Sequence, residues 1–124
     1  YAPAGNVATT TLTKTGYSSE LLQEVDVTGC SEGRTYDRFR DRLMFPFYDV
    51  QGHIIGFSGR IIHPRDGVGK YVNTGETPLF TKGKHIFGLY QARKSIGRQG
   101  FVYLVEGQFD VMTLHKMGVE NVIG

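Results

Sequence analysis

The sequence predicts a mixed α+β / α/β chain: a small mixed subdomain built on a twisted, hairpin-containing sheet, followed by a β-α-β unit. Three observations predict it. Residues 38–62 alternate with period two around an Asp-Val-Gln-Gly turn, the pattern of a hairpin. Leu89, Ala92 and Ile96 recur at helical spacing before Gly97. Residues 101–123 then run apolar segment, helix, glycine, apolar segment, which predicts parallel strands joined by a right-handed crossover.

Taken in order, residues 1–16 are rich in Gly, Ala and Thr and read as irregular, with at most a short helical turn. Ser18–Val25 reads as a short helix: Ser18 is a candidate N-cap, and Leu21, Leu22 and Val25 share a face. Gly29 is expected to end it, leaving Cys30 near the helix end, and Gly33–Asp37 reads as a turn. From Arg38 the period changes to two. Leu43–Tyr48 continues as a strand in which Pro46 argues for an edge or a bulge, because proline donates nothing to a ladder. Asp49–Gly52 is a turn, with Asp first and Gly last, and His53–Ile62 returns. Gly67–Gly69 is a loop, Lys70–Asn73 a short strand, and residues 74–86 a polar loop. A helix over 89–96, a buried strand over 101–105, a helix over 110–117, a stop at Gly118 and a strand at 121–123 complete the chain.

With 124 residues and 40% apolar composition, the chain suits one modest domain or two small subdomains with a real core. No apolar run is long enough for a membrane span, and the first five residues lack the features of a signal peptide. The single cysteine excludes an internal disulfide, and no Cys/His cluster offers zinc ligands; a reducing, cytoplasmic setting is the simplest expectation. Charge is unevenly placed. Arg34–Arg98 holds twelve basic and five acidic residues, a net +7, while the rest of the chain nets −5. A basic middle beside an acidic C-terminal motif suggests a polyanion partner next to a cation site, against the plainer reading of a solvated, charge-mixed surface.

The acidic motif is Val105-Glu106-Gly107-Gln108-Phe109-Asp110. It reads as a strand delivering Glu106 to its C-terminal tip, a sharp turn at Gly107, and Asp110 near a helix start. Ligands bind at strand tips in α/β sheets, and Mg²⁺ favours one or two carboxylates plus phosphate oxygens. An ordinary turn and an ordinary helix N-terminal charge fit the same letters.

In the basic stretch, Arg38, Arg40 and Arg42 share one face if the segment is extended. Arg60 falls on the face of Gly56 and Ser58, small residues expected to leave room for a nucleic-acid backbone. Lys70, Tyr71, Asn73, Lys82 and Lys84 follow: lysine suits phosphate, Tyr stacks on a base, and Asn suits a base edge or sugar. The four histidines have no metal-like spacing, and Met44, Met112 and Met117 read as core filler.

In order and spacing, these motifs resemble the catalytic core of bacterial DnaG-type primases. They are Tyr1-Ala2-Pro3, Tyr36-Asp37-Arg38-Phe39-Arg40-Asp41-Arg42-Leu43-Met44-Phe45-Pro46, Gly52–Arg60, Lys70-Tyr71-Val72-Asn73-Thr74-Gly75-Glu76-Thr77, Leu79–Gly83, Phe87–Tyr90 and Val105–Asp110. The resemblance implies a basic N-terminal subdomain over 1–98 and the beginning of a Toprim domain over 99–124. It also implies a chain that is a fragment of an enzyme making short RNA primers on single-stranded DNA. Carried over, Glu106 resembles the Toprim metal-site glutamate for Mg²⁺ or Mn²⁺, with Asp110 supporting it. Arg38, Arg60, Lys70, Tyr71, Asn73 and Lys82 fall on positions used for template DNA and incoming ribonucleoside triphosphates. Zinc and the replicative helicase are expected only through domains outside this chain. Gln108-Phe109 and Thr74-Gly75 depart from the family's usual residues, and the Asp-x-Asp pair of a Toprim site is absent, so the chain alone is expected to bind metal weakly and catalyse little. Two rivals stand beside this reading: another Toprim enzyme, and a non-catalytic single-stranded nucleic-acid-binding module.

Overall fold

A computed structural model describes residues 1–124, which fall into two compact units: Tyr1–Phe45 with Gly56–Lys82, and Pro46–Ile55 with Gly83–Gly124. The boundary expected at 98/99 lies inside the second unit, just before the end of its first helix.

The first unit opens with a helix that local sequence does not favour. Helix α1 (Val7–Lys14) contains three consecutive threonines, poor helix formers, and its N-cap residue Asn6 makes no side-chain cap. The cap comes from Asp37 instead. Its carboxylate accepts from Ala8 N–H at 2.7 Å, from Thr9 N–H at 2.8 Å, and from the Thr9 hydroxyl. Asn6 Oδ1 in turn accepts from the Asp37 N–H at 3.1 Å. The region expected to be irregular is therefore ordered from outside itself. Helix α2 (Ser19–Glu24) forms as expected, with the Ser18 hydroxyl accepting from Leu21 N–H. It ends well before Gly29: Asp26 adopts φ 57°, a left-handed conformation that aspartate tolerates better than most residues.

Strands β1 (Thr28–Ser31) and β2 (Arg34–Asp37) form an antiparallel hairpin, which places Cys30 in a strand and turns the expected 33–37 turn into a strand. The connection is the two residues Glu32 (φ 50°) and Gly33 (φ 74°), the double positive φ that matches strand twist. Gly29 lies opposite Tyr36, and a Cβ there would come within 2.5 Å of the Tyr36 ring.

Strands β3 (Arg42–Tyr48), β4 (Ile54–Ile61) and β5 (Tyr71–Asn73) form a sheet in the order β3-β4-β5, so Pro46 sits on an edge strand as its chemistry requires. The first unit buries Leu22, Phe39, Phe45, Ile61 and Phe80. Phe39 meets Phe57 edge to face at 6.1 Å.

In the second unit the turn Asp49–Gly52 is built as expected, with the Asp49 carboxylate accepting the N–H groups of Gln51, Gly52 and His53. Gly52 (φ 99°) lies directly against the ring of Tyr90, which stacks on Tyr48 at 5.7 Å. Helix α3 (Leu89–Gln99) runs through Gly97 and stops at Gly100 (φ 77°), three residues beyond the expected end. Strand β6 (Tyr103–Leu104) pairs in parallel with β7 (Val122–Ile123) across helix α4 (Gln108–Lys116). Ala92, Val111, Val122 and Ile123 form the core. The strand leading to Glu106 is not buried as expected: Leu104 is 75% exposed and Phe101, Val102 and Tyr103 are exposed too, whereas its partner β7 is buried. No helix is long and apolar enough to cross a membrane.

Candidate functional site

Candidate functional residues occur in both units. In the second unit, Glu106 follows β6 and Asp110 lies in the first turn of α4. Both carboxylates are exposed, and with Val105, Thr113 and Leu114 they line one open cavity of about 520 Å³. The four-residue spacing thus delivers both to one place. Gly107 does not make the sharp turn expected of it: its φ of −154° is extended backbone, and a Cβ there would meet only the Asp110 Oδ2 at 3.7 Å. Two accessible carboxylates are hard oxygen donors. They suit an ion that keeps part of its water shell and takes further oxygens from phosphate, so the donor set fits Mg²⁺ or Mn²⁺. No group of three or more Asp, Glu, His or Cys side chains is gathered here or elsewhere.

In the first unit the antiparallel register Arg60↔Tyr71 and Ser58↔Asn73 puts Arg60, Tyr71 and Asn73 on one face of β4–β5. The Arg60 guanidinium carbon lies 6.0 Å from the centre of the Tyr71 ring, and Tyr71 and Asn73 are exposed. The small residues of this face do not leave it open along its length. A Cβ on Gly56 would meet the Phe80 ring at 3.0 Å and Thr74 Cβ at 3.2 Å, and Ser58 is fully buried. Lys70 and Lys82 are exposed; the backbone N–H of Lys82 is held by the Glu76 carboxylate at 2.8 Å.

The three arginines expected on one strand face are not on a strand together. Asp41 (φ 55°) breaks the alternation and β3 begins only at Arg42. Arg38 Nε lies 2.9 Å from Asp26 Oδ1 and its Nη2 donates to Asp26 Oδ2 at 3.2 Å. Arg40 sits over the Tyr36 ring at 5.4 Å. Arg42 is 4% exposed and is satisfied only by main chain: Nη1 donates to the carbonyls of Gly59 (2.9 Å) and Lys70 (3.3 Å), Nη2 to that of Gly69 (3.0 Å). Burial first, then the nearby Arg65 charge, lower its pKa from the ordinary arginine value. The three nevertheless converge, with Arg65, on one cleft. Sequence reasoning missed Arg65 and the pairing of His63, whose ring is 76% exposed, with Asp41. Arg65 Nη2 lies 3.2 Å and His63 Nδ1 2.9 Å from the carboxylate of the buried Asp41, whose pKa is lowered mainly by the His63 hydrogen bond. Only an acid fixed in a left-handed turn could have hinted at that partnership.

The mixed α/β chain thus carries an acidic turn after a parallel strand and, on β4–β5, a half-buried arginine beside exposed Tyr71 and Asn73. The family model "DNA primase catalytic core, N-terminal domain" matches residues 1–93, and the chain belongs to that family. A DNA primase of Synechococcus elongatus is 42% identical over 99% of this chain, which spans 18% of that protein's length. The RNA polymerase domain of Mycobacterium tuberculosis primase DnaG superposes over the entire chain with a TM-score of 0.93 at 32% identity, this chain covering 41% of it. A DnaG primase catalytic domain bound to single-stranded DNA matches with a TM-score of 0.83 at 33% identity, over 99% of this chain and 39% of that one.

Proposed function

We propose that this chain is the template- and nucleotide-handling part of a DNA primase, a nucleotidyltransferase that builds short RNA primers on single-stranded DNA from ribonucleoside triphosphates. The observation that carries the reading is the face on which half-buried Arg60 lies beside exposed Tyr71 and Asn73, in a chain whose relatives are DNA primases and include one solved with single-stranded DNA. On this face Tyr71 stacks a base, Arg60 braces that ring and offers charge to a phosphate, and Asn73 contacts a base edge or sugar. Lys70 and Lys82 add positive charge to this face; Arg38, the further arginine proposed for template or nucleotide, is held at Asp26 and opens instead on the cleft lined by Val72. Glu106 would hold Mg²⁺ or Mn²⁺, with Asp110 supporting it; when bound, the ion neutralises charge on phosphate oxygens during transfer. The boundary between a basic subdomain over 1–98 and a Toprim start over 99–124, a zinc-bearing domain, a helicase contact and a cytoplasmic setting belong to the same reading of the longer protein.

The test is primer synthesis and oligonucleotide binding by the full-length protein carrying Glu106→Gln. The reading expects synthesis to be lost and binding retained. Unchanged synthesis removes Glu106 from the reaction. A wild-type protein that binds oligonucleotides and never extends a primer is instead a non-catalytic binding module. In parallel, Lys70→Ala and Lys82→Ala should each weaken binding and lower the salt slope by about 0.7, the value for one single-strand phosphate contact.

A further inference from the structure

The first unit holds a second positively charged place, on the opposite side of β4–β5 from Tyr71 and Asn73. Val72, which alternates with those two residues, lines a cleft of about 480 Å³ together with Arg38, Arg40, Arg42 and Arg65. No acidic residue lines it. Asp26 and Asp41 touch two of its arginines, so four guanidiniums are opposed by two carboxylates. Arg42 is buried with no carboxylate partner. Three carbonyls occupy three of its five N–H donors, and carbonyl dipoles offset a buried cation less completely than an anion does. At the mouth, Gly5 and Gly67 (φ +84° and +74°) have nothing within 4 Å of a would-be Cβ, so main-chain groups are open to a ligand there. Tyr36, braced by Arg40, provides a flat wall.

We propose that this cleft binds a compact polyphosphate, either free pyrophosphate or the phosphate chain of a nucleotide, at a site separate from the Tyr71–Asn73 face. A di- or triphosphate concentrates several negative charges within the span of the four guanidiniums, and arginine's planar fork matches phosphate oxygens. The volume is that of a small-molecule site.

The test titrates the chain with pyrophosphate, ATP, AMP and inorganic phosphate, reading affinity by calorimetry and location by amide chemical shifts. Pyrophosphate and ATP should bind saturably and more tightly than AMP or phosphate, with shifts centred on Gly5, Arg40, Gly67 and Gly69. Equal affinity for the two identifies the polyphosphate alone as ligand; tighter ATP binding identifies a nucleotide whose base lies on Tyr36. Arg40 is exposed and packs over the Tyr36 ring, so Arg40→Ala should fold normally and weaken binding about tenfold. Arg65→Ala should do likewise, with partial rescue by Arg65→Lys. The proposal is overturned if neither polyphosphate binds, if Arg40→Ala leaves affinity unchanged, or if the shifts fall on Tyr71, Asn73 and Lys82. It is equally overturned if only a single-stranded oligonucleotide moves the cleft amides.

Discussion

Asp26 grips Arg38 with both carboxylate oxygens, at 2.9 and 3.2 Å, and the same Oδ2 accepts the N–H of Gly75 at 2.7 Å. One left-handed residue at the end of α2 thereby fixes an arginine of the cleft and the loop that follows β5. Asp26→Ala removes both connections and puts alanine at φ 57°. Loss of a charged hydrogen bond and the left-handed cost together predict a destabilisation of about 3 kcal/mol. Asp26→Asn tolerates the same backbone and should lose roughly half of that. Denaturant unfolding of the two variants checks the order; equal losses would mean the backbone conformation contributes nothing.

Asp37 is the N-terminal cap of α1 although nearly thirty residues separate them. The carboxylate is buried, and removing it strands the N–H groups of Ala8 and Thr9. Asp37→Ala should destabilise the chain by about 1.5–3 kcal/mol, the range for hydrogen bonds to a charged group. Hydrogen exchange gives the sharper reading: amides of α1 should lose protection in the variant while those of α3 keep theirs. Retained α1 protection would show that packing, not the cap, holds this helix.

These long-range partners explain what the sequence leaves unreadable. The β3–β4 hairpin, the Ser18 cap and the β-α-β order are legible because each is written in neighbouring residues. Helix α1 is not, since its threonines argue against a helix and its cap lies on β2. The β1–β2 turn is hidden because Glu32 gives no signal for a positive φ. Gly97 misleads because a helix interior tolerates glycine when Gly100 supplies a better left-handed stop. For the sites, spacing alone places Glu106 and Asp110 at one cavity. The arginine cleft needs Arg65 to return beside Arg42, which only the folded strands β4 and β5 arrange.

Asp41 predicts an acid limb. Its carboxyl is held below the ordinary 3.8, first by the His63 hydrogen bond, with the His63 and Arg65 charges adding to the effect against the opposing cost of burial. A carboxyl whose folded pKa lies below its unfolded one contributes stability above the unfolded value. That stability is lost as pH falls through the folded value. Stability should therefore drop as pH falls below about 4, the unperturbed aspartate range. His63→Ala removes the main cause and should flatten this limb with little change in fold, because the ring is 76% exposed. Unfolding midpoints followed from pH 6 to pH 3 decide it; identical limbs would place the effect elsewhere.

Glu106 and Asp110 predict a weak ion site in the isolated chain. Two exposed carboxylates leave most of a divalent ion's coordination to water, and no third acid is gathered beside them. Mn²⁺ should therefore broaden the amide signals of residues 105–114 at high micromolar to millimolar concentration, an order-of-magnitude expectation for so few charged ligands. Glu106→Gln should abolish most of that broadening and Asp110→Asn should reduce it less, as the supporting residue. The isolated chain should make no primer with either Mg²⁺ or Mn²⁺. Primer synthesis by these 124 residues alone would show that the ion site is complete without further acids and would overturn the division of roles between Glu106 and Asp110.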